Sequence, residues 1–238
     1  MTNNSLVQQA PTEVKVKYEC NGETIALSPN IIRKYLVNGG GNVTDQEVMM
    51  FLNLCKFQHL NPFLREAYLI KYGDRQPATM VVGKDVYLKR AYRNKDYAGF
   101  EAGVWVINDA GMEQRVGSLV FDGETVVGGW AKVHIKGYTV PVEASVSFNE
   151  YKGVKSDGGL NSQWAKKPAT MIRKVALVQA LREAFPDEFE GLYTAEEMGV
   201  DETQFDTAPV EMNTIPEPVK APEAITVNYD NDDFFGGN

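Results

Sequence analysis

The net charge of this 238-residue chain is confined to its last 38 residues, and that asymmetry decides how much of it can fold. The formal charge at neutral pH is −8. Residues 1–200 hold 23 Lys and Arg against 23 Asp and Glu, whereas residues 201–238 hold nine acids and one base, Lys220. The segment TQFDTAPVEMNTIPEPVKAPEAITVNYDNDDFFGGN is rich in proline and acid with scattered apolar residues, a composition that cannot bury a core. Residues 201–238 therefore read as an acidic disordered tail and residues 1–200 as the folded part. With 43% apolar and 11% aromatic residues, the chain has material for one large domain. No run approaches the roughly 18 apolar residues of a membrane span. The start MTNNSLVQQAPTE carries no export pattern, so the expectation is a cytoplasmic protein with no membrane partner.

Within residues 1–200 the periodicity predicts a mixed α+β fold. VKVKYE and TIAL flank Asn21-Gly22, a hairpin turn signal, which predicts two strands over about 14–27. Ser28-Pro29 starts a short helix that stops at Gly39-Gly40-Gly41. Thr44 and Glu47 have capping-box spacing, and Val48, Phe51, Leu52 and Cys55 follow at i, i+3, i+4, i+7 as a core stripe. Met49, Met50, Leu54 and Phe57 make that helix apolar on other sides too. It is either deeply buried or packed against another subunit, with Met50 and Phe57 as the candidate interface.

After Asn61-Pro62 come two strands, EAYLIKY and ATMVV, and a helix from about Lys84 to Asn94. Residues 100–148 read as β with turns at Asn108–Gly111 and Gly137-Tyr138. Ala131, Val133 and Ile135 alternate with Trp130, Lys132, His134 and Lys136. A two-residue turn at Gly137-Tyr138 pairs Lys132 with Glu143, and Pro141 places the second strand at an edge or a bulge. A last helix is expected from about Pro168 to Ala184.

Catalytic readings fail on inventory. Gly83-Lys84 is followed by Asp85 and has Ala78 where the first glycine of a phosphate loop belongs. Glu150-Tyr151-Lys152 has the E-x-K form of some metal-dependent nucleases, yet no other acid is placed by sequence to share a metal. Cys20 and Cys55 are far apart and read as buried thiols, and neither His59 nor His134 has a nucleophile nearby. No cofactor, metal or catalytic residue is expected.

The remaining signal is cationic. On a helical wheel, Lys89, Arg90 and Arg93 oppose Tyr87, Leu88, Ala91 and Tyr92, so one face packs and the other is basic. A solvated helix face would look the same. The second run, Trp164-Ala165-Lys166-Lys167-Pro168-Ala169-Thr170-Met171-Ile172-Arg173-Lys174, sits where a loop enters a helix. Aromatic rings stack on bases, cations neutralise phosphates, and helix N-terminal amides favour anions. Lys174 and Arg182 lie about 80° apart on the wheel, close enough to share a groove; Arg173 is about 180° from Arg182.

Two blocks, FLNLCKFQHLNPFLREAYLIKYGDRQPATMVVGKDVYLKRAYRNKDYAGFEAG and SQWAKKPATMIRKVALVQALREAFPDEFEGLYTAEEMG, resemble the phage recombination proteins of the Bet/RecT type, the single-strand annealing proteins. The shared features are an Asn-Pro before an extended segment, a Val-Val-Gly strand entering a helix, and Trp-x-x-x-Pro-x-x-Met-x-Arg continuing to Gln-x-x-Arg-x-Ala-Phe. The resemblance covers about residues 50–200. It implies ATP-independent binding of single-stranded DNA and pairing of complements, by subunits assembled into rings or helical filaments. It also implies a small curved antiparallel sheet with helices bordering a nucleic-acid groove. Arg65, Trp164, Arg173, Gln179 and Arg182 match its pattern. Ala169, Thr170 and Val175 stand where some members have Lys or Arg, which moves the expected contacts toward Lys166, Lys167 and Lys174.

Three functions stand at this point: an annealing protein, a divergent nuclease, and an interaction module acting through its tail. The resemblance implies an exonuclease or a host single-stranded-DNA-binding protein as partners. In the tail, Asp232 and Asp233 precede Phe234 and Phe235, which suits docking on a partner's basic pocket or folding back over the chain's own groove.

Overall fold

The computed structural model describes residues 15–155 and 157–200. The expected tail, with Asp232 to Phe235, lies outside the described residues. Strands β1 (Val16–Cys20) and β2 (Glu23–Leu27) form the first hairpin. Asn21 and Gly22, at φ 54° and 85°, supply the two left-handed residues of a tight turn whose twist matches the strands. Tyr18, Cys20, Ile25 and Leu27 point inward. Ser28 caps α1 (Pro29–Ile31), which continues as a π-helical segment over Ile32–Leu36. The helix ends short of the expected glycines because Val37-Asn38, β3, turns extended and pairs in parallel with Leu69 and Ile70.

Both arms of the capping box are made at the start of α2 (Asp45–Phe57), and Val48, Phe51, Leu52 and Cys55 are buried as the stripe predicts. Deep burial of the whole helix is not what the structure shows, since Met50 is 55% and Phe57 71% exposed. Cys20 and Cys55 are both buried thiols, and burial pushes both above their ordinary pKa, Cys20 to about 11. A 3-10 turn, Pro62–Leu64, leads into β4 (Ala67–Ile70), which pairs with β5 (Thr79–Val82). Helix α3 (Lys84–Arg93) follows.

The largest sheet has the order β7-β6-β8-β9, from β6 (Tyr97–Asn108), β7 (Gly111–Val116), β8 (Thr125–Ile135) and β9 (Val142–Ser147), with every pairing antiparallel. Lys132 is paired with Glu143, their charged groups 3.6 Å apart, and Pro141 lies just before edge strand β9, where no ladder hydrogen bond is required of it. Trp130 departs from simple alternation. It is on the face of Lys132 yet buried, because its Nε1 donates to Arg115 O at 3.2 Å over Gly103, where a Cβ would collide with the indole.

Helices α4 (Phe148–Tyr151), α5 (Ser162–Lys166), α6 (Pro168–Ala184) and α7 (Pro186–Phe189) complete the described fold. α6 is central. One side lies on the four-stranded sheet so closely that any side chain at Gly129 would strike Ile172 O. The other side is covered by residues 192–200, which are anchored by Val82 N donating to Tyr193 O at 2.8 Å and by Ala195 and Val200 packing on Ile70 and Val81. A helix buried on two sides carries apolar residues nearly all round, and nine of its residues are buried. The fold is thus α+β as expected, with its antiparallel strands divided among three sheets and one short parallel pair added.

Candidate nucleic-acid interface

The start of α6 is built by a break in the chain direction. Asn161 caps α5 by accepting from Trp164 N at 3.1 Å, and α5 stops at Lys166. Proline follows Lys167, disfavouring helical backbone there, so Lys167 takes φ −137° and ψ 51° and Pro168 opens α6 at its first position. Among the described residues no side chain caps α6. Lys166 and Lys167 therefore project from a corner, beside helix amides that have no intrahelical partner. Trp164 beneath them is 2% exposed and packs edge-on against Phe148, ring centres 5.5 Å apart. Its place is structural support for α5, and it offers no open ring face to a base.

This corner borders a cavity of about 580 Å³. Lys166, Lys167 and Thr170 line one side; Leu119, Val120 and Val126 line the other, with Phe148 and Leu160 between. Leu119 is 61% exposed and the neighbouring Phe121 58%. One carboxylate, Glu124, also lines the cavity. It accepts from Arg115 and from Phe121 N, bonds that hold it below the usual carboxylate range, so its charge is already matched. Arg173, one turn into α6, donates Nε to Ala102 O at 3.1 Å, and the same carbonyl accepts from Gly117 N at 2.9 Å. The guanidinium is thereby held next to the loop that forms the cavity rim. Burial lowers its pKa, but guanidinium remains protonated at any physiological pH. Among the described residues, Lys166, Lys167 and Arg173 have no carboxylate partner.

Other predicted contacts are engaged within the fold. Lys174 pairs with buried Glu196 at 2.6 Å. Arg182 pairs with Glu197, donates to Leu192 O at 2.9 Å and stacks over Tyr193, 4.8 Å from the ring centre. These two do share a face of α6, and the chain's own residues 192–197 cover it. Gln179 donates to the Tyr151 hydroxyl at 2.5 Å. Lys89 pairs with Glu66 at 2.8 Å. Arg90 is not on an open basic face: half-buried and lowered in pKa by that burial, it donates to Gln58 and to Glu188 O, tying α2 to α7. Arg93 is exposed and donates to Asn21 Oδ1 at 2.7 Å. Arg65 stands at φ 61° after the 3-10 turn and lines a separate, smaller cavity with Lys34 and Tyr35.

The two basic runs do not converge on one cavity. Arg90 and Arg93 line a different one, of about 310 Å³, with Phe57 and Glu188. Glu188 belongs to α7, just past the C-terminal end of α6, so the two cation groups sit at opposite ends of that helix, roughly 25 Å apart by its rise. Sequence reasoning missed the 117–124 loop as a rim. Its signal was present in Ser118-Leu119-Val120-Phe121, an apolar run between two strands that belongs to neither.

Residues 23–211 match the RecT family. The uncharacterized protein UU154 of Ureaplasma parvum serovar 3 is 29% identical over 136 residues, which is 57% of this chain and 52% of that protein. The chain thus spans about half the length of that curated relative. The family match extends over most of the sequence and includes α2, α3, α6 and both sides of the cavity, so the chain belongs to the RecT family.

Proposed function

We propose that this protein binds single-stranded DNA by its phosphates at the N-terminal end of α6 and anneals complementary strands without a nucleotide or metal cofactor. The observation that carries the reading is the placement of Lys166 and Lys167, unmatched by carboxylates among the described residues, with open helix amides at one cavity, and of Arg173 beside the loop that forms its rim. Cations used by a fold are normally found beside its acids; cations left over are available to phosphate. The apolar rim adds surfaces on which base faces can rest, and contact to backbone and base faces leaves the Watson–Crick edges free to find a complement. Membership of the RecT family supports the annealing step.

Assembly of several copies is part of the proposal, because a continuous groove raises the local concentration of strand segments. Exposed Met50 and Phe57 on α2 are its candidate contacts. An exonuclease or a single-stranded-DNA-binding protein is the class of partner that such an activity would serve. The test is pairing of two labelled complementary oligonucleotides in EDTA without ATP. Acceleration by the full chain, reduced at least tenfold by Lys166→Ala/Lys167→Ala, is expected. Pairing that strictly requires a nucleotide or a divalent metal overturns the reading.

A further inference from the structure

The cavity at the α6 corner joins cations unmatched among the described residues to an apolar rim, and the chain itself carries a segment of complementary chemistry. Residues 201–238 hold nine acids and one lysine, and Asp232 and Asp233 stand directly before Phe234 and Phe235. Several of the other cations expected at a nucleic-acid surface are engaged within the fold. Lys174, Arg182 and Lys89 are ion-paired, and the cavity beside Arg93 contains Glu188. We propose that the α6 corner is also the docking surface for this chain's own acidic tail, with Asp232 and Asp233 on Lys166 and Lys167 and the two phenylalanines against Leu119 and Phe121. Tail and single-stranded DNA then compete for one surface. The inference rests on the DNA-binding reading above for its consequence, but not for the contact itself.

Reach permits the contact. Glu196 is bonded to Lys174, seven residues along α6 from Lys167, or roughly 10 Å by helical rise. Thirty residues separate Val200 from Asp230, and a flexible linker of that length has a root-mean-square span of about 30 Å. A tethered segment at that range acts at an effective concentration on the order of millimolar, so even a weak contact is populated. The attraction between exposed charges fades as the Debye length shrinks from about 10 Å at 0.1 M salt to about 3 Å at 1 M.

The experiment keeps the full chain and alters the tip, with Asp232→Asn/Asp233→Asn/Phe234→Ala/Phe235→Ala. Binding of a fluorescent oligothymidylate is measured in EDTA at low and high salt, and a labelled peptide of residues 228–238 is titrated onto the tip variant. A surface covered four-fifths of the time loses about fivefold in apparent affinity. The tip variant is therefore expected to bind the oligonucleotide about that much more tightly at low salt, with the gap closing at 1 M. The peptide should bind the variant, displace the oligonucleotide, and lose its binding on Lys166→Ala/Lys167→Ala. Equal affinity of the two proteins at every salt concentration, or peptide binding that ignores those lysines, overturns the docking while leaving the DNA reading intact. If neither protein binds the oligonucleotide, the DNA reading fails. The peptide titration still decides the docking: lysine-dependent binding supports it and no binding overturns it.

Discussion

Two surfaces of α6, the face under residues 192–197 and the N-terminal corner, use the same kinds of residue for opposite purposes. On the face covered by residues 192–197, Lys174 and Arg182 each meet a glutamate from residues 196–197, and the helix face they share is closed by that segment. Near the N-terminus of α6, Lys166, Lys167 and Arg173 meet no carboxylate among the described residues; the two lysines line an open cavity and Arg173 is held beside its rim loop. A cation with a shielded acid beside it stabilises the fold, whereas one held without an acid repels its neighbours and is tolerated most easily where a ligand brings the negative charge. The comparison teaches that a basic count along a helix says little until each cation's partner is known.

The largest effect expected from this contrast is on stability at the paired face. Arg182→Ala removes the counter-charge of Glu197, whose side chain is 7% exposed and keeps the donors of Thr194 N and Oγ1, and leaves Leu192 O without the Arg182 donor. Removing one partner of such a pair costs about 3 kcal/mol, to be read as a lower urea midpoint. Lys166→Ala/Lys167→Ala should change the stability read from the same midpoint by no more than about 0.5 kcal/mol. Equal destabilisation at both surfaces would break the comparison.

A pH titration sharpens it. Lys71, buried, is another paired cation: Glu47 accepts from its Nζ at 2.7 Å and from Thr44 N and Ala78 N, which together hold the Glu47 carboxyl down at about 2. A carboxyl whose folded pKa lies below its ordinary 4.5 contributes stability that is present above 4.5 and lost as pH falls toward 2. Glu47→Gln should therefore flatten part of the acid-side loss of stability between those values while lowering stability at neutral pH. An unchanged acid limb would remove Glu47 from the account.

Smaller effects are expected at exposed positions. Met50→Glu and Phe57→Glu should each leave monomer stability within about 0.5 kcal/mol while reducing assembled species in light scattering, because both side chains face solvent in the single chain. Parallel loss of circular dichroism and assembly would make them core residues instead. Least of all, Lys132→Ala should cost about 0.2–1 kcal/mol, the range of a cross-strand charge pair, with no change in oligonucleotide affinity.

Much of the scaffold was legible because its signals are local. Asn21-Gly22 permits one tight turn, Thr44 and Glu47 cap each other across three residues, and Pro168 can begin a helix but not continue one. Lys132 and Glu143 were placed opposite each other by counting from Gly137-Tyr138. The site was legible only in part. That Lys174 and Arg182 are engaged depends on residues 192–197, a stretch without periodicity whose position is set by Ala195 and Val200 packing on β4 and β5. Burial of Trp130 and Trp164 likewise depends on tertiary neighbours, Gly103 in one case and Phe148 in the other, that no spacing announces.

The central claim is that phosphate is met at the unpaired end of α6, and the salt dependence of oligothymidylate binding tests it most directly. Removing a single cation–phosphate interaction lowers the slope of log affinity against log salt by about 0.7 for a single strand. Lys166→Ala/Lys167→Ala is predicted to reduce that slope by about 1.4, while Lys89→Ala, whose ammonium is paired with Glu66, leaves it nearly unchanged. An unaltered slope in the double variant, together with a reduced one in Lys89→Ala, would contradict the account.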